Sequence, residues 1–325
     1  DNPRALGDAH NNLGWLAAEQ GQFDRADSLL NIALERFRRM GDPVYTSVVL
    51  SNLGWLAEKR GDSVRSVDLF QQALRLSEQA RDTASSSILL YSLGVAYRKI
   101  SEYEESISYL QRSVAFERIL GRKGKEANCA VGLANTYKAQ GDTGSARRAY
   151  EQALVLFQSL NDHQGWGIVE ENLGDLDSEK SPRGALSRYA QALDQYKIIN
   201  SAIDKAYVLQ RIGTVQVDLG ELQRAESSLK EGLALSRGAG DPQLEIDYEL
   251  ALGRLYAKQG DGDAAITHFE RHVFLKDSLQ GADTQRELAR LSTAFETERK
   301  EKDNVILRAV NNEQSTRLRN SQVRL

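Results

Sequence analysis

Cysteine, proline and aromatic residues are all scarce in this 325-residue chain, and each scarcity excludes something. The single cysteine, Cys129, rules out an intramolecular disulfide framework and any cysteine-rich zinc or iron–sulfur centre. Only four prolines interrupt the chain, which favours helix because proline breaks helix interiors. Aromatic residues make up 7% and the mean hydropathy is −0.50, so there is little apolar mass for one large core. A thin, extended core is expected instead. No apolar run approaches the ~18–20 residues that a membrane helix needs, and no secretory signal is visible. Neither sign of charge dominates: 42 Lys+Arg face 46 Asp+Glu, a net charge of −4, which argues against a basic nucleic-acid clamp. The chain starts at Asp1 rather than Met, and reads as a processed chain or an excised fragment.

What is present is a repeat. The pair Leu13-Gly14 recurs as Leu53-Gly54, Leu93-Gly94, Leu133-Ala134, Leu173-Gly174, Ile212-Gly213 and Leu252-Gly253, at spacings of 40, 40, 40, 40, 39 and 40. Twelve residues beyond each small residue stands another: Ala26, Ser66, Ser106, Ala146, then Ala185 (one early), Ala225 and Ala265. A third landmark follows as Ala33-Leu34, Ala73-Leu74, Ser113-Val114, Ala153-Leu154, Ala192-Leu193, Gly232-Leu233 and His272-Val273. The early alanine and the short spacing share one cause, a residue missing in the turn around Ser181-Pro182-Arg183. Small residues at fixed intervals let helix backbones approach, and the neighbouring leucines fill the remaining space.

The intervals between landmarks carry turn chemistry. Gly21, Gly61-Asp62, Gly141-Asp142, Gly220-Glu221 and Gly260-Asp261 fall between the two helices of a unit, glycine for a left-handed helix end and the acid for the next N-cap. Asp42-Pro43 and Asp241-Pro242 fall between units, an N-cap followed by proline at the first helical position. Asn2-Pro3 lies 40 residues before Asp42-Pro43, so the first unit starts at the beginning of the chain.

These three landmarks together resemble the tetratricopeptide repeat over about residues 3–280, each unit being some six residues longer than the usual ~34. The longer unit resembles those of adaptor and regulatory proteins of the Pins and kinesin-light-chain kind. The resemblance implies an all-α fold, a right-handed α-solenoid of seven helix-turn-helix repeats of ~40 residues over 1–280, followed by a C-terminal helix over 281–325.

That last segment differs in composition. Residues 281–325 hold nine Lys/Arg and seven Asp/Glu, a balance of +2 against −6 for the rest, and neither proline nor glycine interrupts 282–325. One long helix is expected there, with Leu288, Leu291 and Phe295 capping the last repeat. Its heptads beyond Phe295 are mostly polar, so any coiled-coil homodimer through it would be weak. The wording Lys276-Asp277-Ser278-Leu279, Leu288-Ala289 and Phe295-Glu296-Thr297-Glu298-Arg299-Lys300-Glu301 resembles the junction that ends tetratricopeptide arrays in bacterial sensory proteins. That resemblance implies a connector to an output domain, a diguanylate cyclase, histidine kinase or LuxR-type domain, often through a membrane helix beyond Leu325. It leaves the compartment of the array open between periplasm and cytoplasm. A freestanding adaptor that binds peptide segments of partner proteins is the alternative.

No catalytic constellation is present in the sequence: there is no P-loop, no dinucleotide-binding glycine motif and no nucleophile elbow. No cofactor is expected, and the chain is read as non-enzymatic. His268 and His272, four apart on a helix, have metal-binding spacing, but no Glu follows the first, and packing is the expected role; no metal site is assigned. Cys129 reads as a small apolar packing residue.

Function is therefore expected on the concave face built by the first helix of each unit. In the tetratricopeptide family, contacts cluster two residues before and one after the small residue. Carried over, that picks out Asn12 and Trp15, Asn52 and Trp55, Ser92 and Val95, Gly132 and Asn135, Asn172 and Asp175, Arg211 and Thr214, Ala251 and Arg254. The binding set is Asn12, Trp15, Asn52, Trp55, Lys59, Arg98, Asn135, Asn172 and Arg211, with Lys99 and Lys138 adding positive charge. A carboxamide offers donor and acceptor as a peptide bond does, and the two tryptophans would stack as an aromatic ladder. The lysine of the family's carboxylate clamp is replaced by Asn11, so an extended acidic and apolar segment suits this lining better than a chain terminus.

Overall fold

The computed structural model of the protein describes residues 3–279 and residue 281. Thirteen helices run α1 (Pro3–Glu19), α2 (Phe23–Met40), α3 (Pro43–Lys59), α4 (Ser63–Gln79), α5 (Thr83–Lys99), α6 (Tyr103–Ile119), α7 (Lys123–Gln140), α8 (Thr143–Leu160), α9 (His163–Asp177), α10 (Pro182–Ile198), α11 (Ala202–Asp218), α12 (Leu222–Ala239) and α13 (Pro242–Gln259). Residues 262–279 are helical as well and complete a seventh pair as α14. No strand occurs among the described residues. The fold is the expected all-α array of paired helices. The connector expected over 282–325 lies outside the described residues.

The chain divides into two compact units, residues 1–215 and 216–325. In the first, the helices from α1 to α10 pack on their sequence neighbours, and the odd-numbered helices up to α7 also touch one another: α1 on α3, α3 on α5, α5 on α7. The odd helices therefore form one layer and the even helices lie behind it. In the second, α12 packs on α13, and the α13 residue Gly253 meets the Phe269 ring of α14.

The landmarks mark where helices meet. Ala26, Ser66, Ser106, Ala146, Ala185 and Ala225 are fully buried. A Cβ added to Gly54 would lie 2.7 Å from the Phe70 ring, and one on Gly174 2.5 Å from the Tyr189 ring. The two landmark serines differ: Ser106 Oγ donates to the Gly94 carbonyl at 2.7 Å, whereas the buried Ser66 Oγ has no hydrogen-bond partner among the described residues. The turns follow the expected chemistry, with Gly141 at φ 89° ending α7 and the Asp142 carboxylate accepting from the Ser145 amide at 2.9 Å to start α8. The missing residue near Ser181 is absorbed by the helix before the turn. α9 has 15 residues where the other first helices have 17 or 18. Pro182 fixes the start of α10, and Ser181 before it, at φ −144° and ψ 70°, stays out of the helical region that proline disfavours in its predecessor.

Candidate functional site

The surface of the odd-helix layer in residues 1–215 has two contrasting halves. Over α1 to α5 it is open. Asn12 is exposed and Trp15 is 48% exposed. Asn52 donates through Nδ2 to Asn11 Oδ1 at 2.8 Å, so the residue standing at the clamp-lysine position orients the neighbouring amide. Trp55 is partly buried against the core, and the Lys59 ammonium lies 5.0 Å from its ring centroid, a cation–π contact. Trp15 and Trp55 make no ring contact with each other, so the expected ladder does not form; Trp55 packs partly buried against the core while Trp15 is half exposed.

Three of the four cations expected here differ in how they are engaged. Lys99 pairs with Glu58 at 3.0 Å. Lys59 and Arg98 meet no carboxylate within ion-pair distance among the described residues, and Arg98 buries its Nε with no hydrogen bond. Arg98 acts on two tyrosines: burial raises the Tyr91 and Tyr150 hydroxyls above their ordinary pKa, and the guanidinium opposes both shifts.

Over α7 to α11 the expected residues come together but are used internally. The Tyr150 hydroxyl donates to Asn135 Oδ1 and stands 3.2 Å from Asn172 Oδ1, while Asn172 Nδ2 donates to its own helix at the Ile168 carbonyl, 2.8 Å. Asp175 on α9 is held from both sides, by Lys138 Nζ of α7 at 2.8 Å and by the Arg211 guanidinium of α11 at 2.9 Å. Arg211 also donates through Nε to Glu171 at 2.7 Å. Tyr189 and Tyr196 donate to Asp175 and Glu171 at 3.0 and 3.3 Å. Burial raises the Glu171 carboxyl, with Arg211 pulling it back; burial lowers the Arg211 guanidinium, and Asp175 and Glu171 more than reverse that. This half is a cross-braced ladder.

Several residues toward the N-terminal ends of α3, α5 and α7 escape the family-based positions. Val48, Ile88 and Asn128 stand four residues before Asn52, Ser92 and Gly132, at 40-residue spacing, and all three are exposed. Lys125, also exposed, precedes Asn128 by almost one turn. For Val48 and Ile88 the signal was an aliphatic residue recurring five positions before the landmark leucine; Asn128 departs from it.

Other candidates fall out as structural. His268 Nδ1 lies 2.6 Å from Glu249 and His272 Nδ1 3.0 Å from the Ile246 carbonyl, so the two rings serve different partners. No cluster of metal-binding side chains occurs among the described residues. Cys129 is buried 3.1 Å from Ser113 Oγ, and burial raises its thiol. A larger cavity of about 490 Å³ lies away from the odd-helix face, between α2, α3 and α4, with Arg38 and Arg75 at its sides.

Comparison with known proteins matches models of the tetratricopeptide repeat at residues 6–79 and 85–159, at 51–118, and at 250–280. A TPR repeat-containing protein of Synechococcus elongatus is 34% identical over 88 residues, which is 27% of this chain and only 21% of that protein. Among solved structures, a signal-transduction ATPase with a tetratricopeptide-repeat sensor from Pyrococcus horikoshii superposes with TM-score 0.68 at 15% identity, over 86% of this chain and 43% of that one. RapI matches at 0.64 and 12% identity, over 85% and 99%. NprR in complex with its cognate peptide NprX matches at 0.54 and 14%, over 83% and 78%. At these identities the likeness is one of fold.

Proposed function

We propose, for a chain that belongs to the tetratricopeptide-repeat proteins, that the odd-helix face of residues 1–215 is a non-catalytic binding surface for an extended peptide segment of a partner protein. The observation that carries this reading is the open half of that face. Exposed Trp15, Val48 and Ile88 share it with the carboxamides of Asn12 and Asn52 and with the unpaired cations Lys59 and Arg98. Apolar groups left in water beside main-chain-like donors and acceptors suit an extended polypeptide. NprR, of the same fold, holds a cognate peptide, which supports the reading. On this account Asn135, Asn172 and Arg211 frame the groove, and the ligand lies toward α1 to α5. A Trp15→Ala and Trp55→Ala double variant should bind a selected peptide at least about tenfold more weakly with helicity intact. Unchanged affinity would remove the two indoles from the site.

The array is further proposed to be the regulatory part of a larger bacterial signalling protein, with residues 281–325 as the connector to an output domain, a diguanylate cyclase or histidine kinase. A membrane helix beyond Leu325 and a weak homodimer through the connector belong to the same proposal. The wording from Lys276 to Glu301 supports it. Sequencing the parent gene past Leu325 tests it: an open frame into a membrane helix or output domain is expected, and a stop codon there would favour the freestanding adaptor.

A further inference from the structure

Two small cavities flank Ile88 on the odd-helix face, one within the open half and one at its border with α7. One, of about 180 Å³, lies between α3 and α5, with Val48, Ser51, Asn52 and Ser85 around it. The other, of about 120 Å³, lies between α5 and α7, with Tyr91, Lys125 and Asn128 at its walls and Ser87, Glu117 and Cys129 completing the lining. Both fall below the ~300–1,000 Å³ of pockets that enclose a small molecule, and each suits a single side chain. Ile88 forms the ridge between them and is 47% exposed.

The polar groups around the sockets are unequally engaged. Glu117 is already answered: Arg122 Nε stands 2.7 Å from its carboxylate and Ser87 Oγ donates to it at 2.6 Å. Lys125 is exposed and has no carboxylate within ion-pair distance among the described residues. Asn52 commits its Nδ2 to Asn11 and keeps its Oδ1, and Asn128 keeps its whole carboxamide. Each socket thus pairs an apolar wall with a group able to meet a peptide unit, and the second adds an uncompensated positive charge. Charge complementarity calls for an acidic neighbour on whatever fills it.

The spacing narrows the occupant further. Packed helices lie 8–10 Å apart, so sockets between α3 and α5 and between α5 and α7 are about one such step apart. A β-strand repeats the same side at about 6.7 Å, which falls short. A polyproline-II segment rises ~3.1 Å per residue with three residues per turn, returning to the same side after about 9 Å.

We propose, resting on the peptide-binding reading above, that this face selects a partner segment with two aliphatic side chains three residues apart, one in each socket, and an Asp or Glu beside them for Lys125. Residues Val48, Ile88, Asn128 and Lys125 then set specificity, while the α7-to-α11 ladder takes no side chain.

Selection of a random peptide library against the full chain tests this. Enriched peptides should share two of Ile, Leu or Val at i and i+3 with an acid adjacent. Ile88→Glu should weaken their binding at least about tenfold, because a charge would stand between the sockets. Lys125→Glu should shift the adjacent preference from acidic to basic residues. Both side chains are exposed, and circular dichroism verifies that each variant keeps its helicity. Enriched peptides of another pattern, or binding indifferent to both substitutions, would overturn the socket assignment and leave the peptide-binding reading standing. Enrichment of no peptide at all would contradict that reading and this inference with it.

Discussion

An added methyl at Gly94 would stand 2.4 Å from Leu110 Cγ, a branch point with no freedom to swing away. Overpacking costs ~1–3 kcal/mol, whereas replacing a helical glycine by alanine gains at most ~1 kcal/mol. Gly94→Ala should therefore lower stability by about 1 kcal/mol in a urea titration. Gly238, near the end of α12, meets nothing within 4 Å, and Gly238→Ala should instead raise stability by a few tenths of a kcal/mol. These opposite signs separate glycines kept for packing from one that is not. The landmark glycines were legible because their spacing repeats. The engagement of a particular polar side chain was not: Asn172 looks equivalent to Asn12 in the sequence, and only the position of Tyr150 shows that it and Asn135 are occupied. The N-caps give a pH prediction at the same scale. Hydrogen bonds from Ser85 hold the Asp82 carboxyl below its ordinary value. The folded pKa is depressed, so the stability it contributes is present above the ordinary carboxylate range and lost as pH falls through the depressed value. Asp82→Ala should cost about 1 kcal/mol at neutral pH, with the difference from the parent protein closing in acid.

Among the helices, the ladder across α7, α9 and α11 decides which part of the face is available. Arg211 carries two contacts at once, to Glu171 and to Asp175. Arg211→Met would leave the Glu171 carboxylate without its cation and Asp175 with Lys138 alone, and should cost about 2 kcal/mol. Adding Glu171→Gln and Asp175→Asn to that variant should recover part of the loss, since both carboxylate charges are then gone and the partly exposed Lys138 left behind stays hydrated. Thermal unfolding of the single and triple variants measures both effects, and an additive triple loss would mean that the ladder carries no coupled charge. Helix identity and pairing could be read from residues alone, because small-residue spacing and turn chemistry are local. The shortening of α9 could not be located from the count: a 39-residue interval says that one residue is missing, while the rigid Ser181-Pro182 start of α10 dictates that the preceding helix gives it up.

On the scale of the whole molecule, the composition that began as a shortage has a physical cause. Small residues at the landmarks admit rings such as Phe70 and Tyr189 at the helix contacts, so the few aromatics present are spent where helices meet. The candidate face follows from the same layering, since odd helices that touch one another present one continuous surface. A rival surface exists in the 490 Å³ cavity between α2, α3 and α4, flanked by Arg38 and Arg75. The decisive measurement is the affinity of one selected, fluorescently labelled peptide for two double variants, followed by anisotropy. If the odd-helix face binds, Asn52→Ala with Trp55→Ala weakens the peptide at least about tenfold, and Arg38→Ala with Arg75→Ala leaves it unchanged. Loss of binding in the arginine pair, with the Asn52 and Trp55 pair unaffected, would contradict the account.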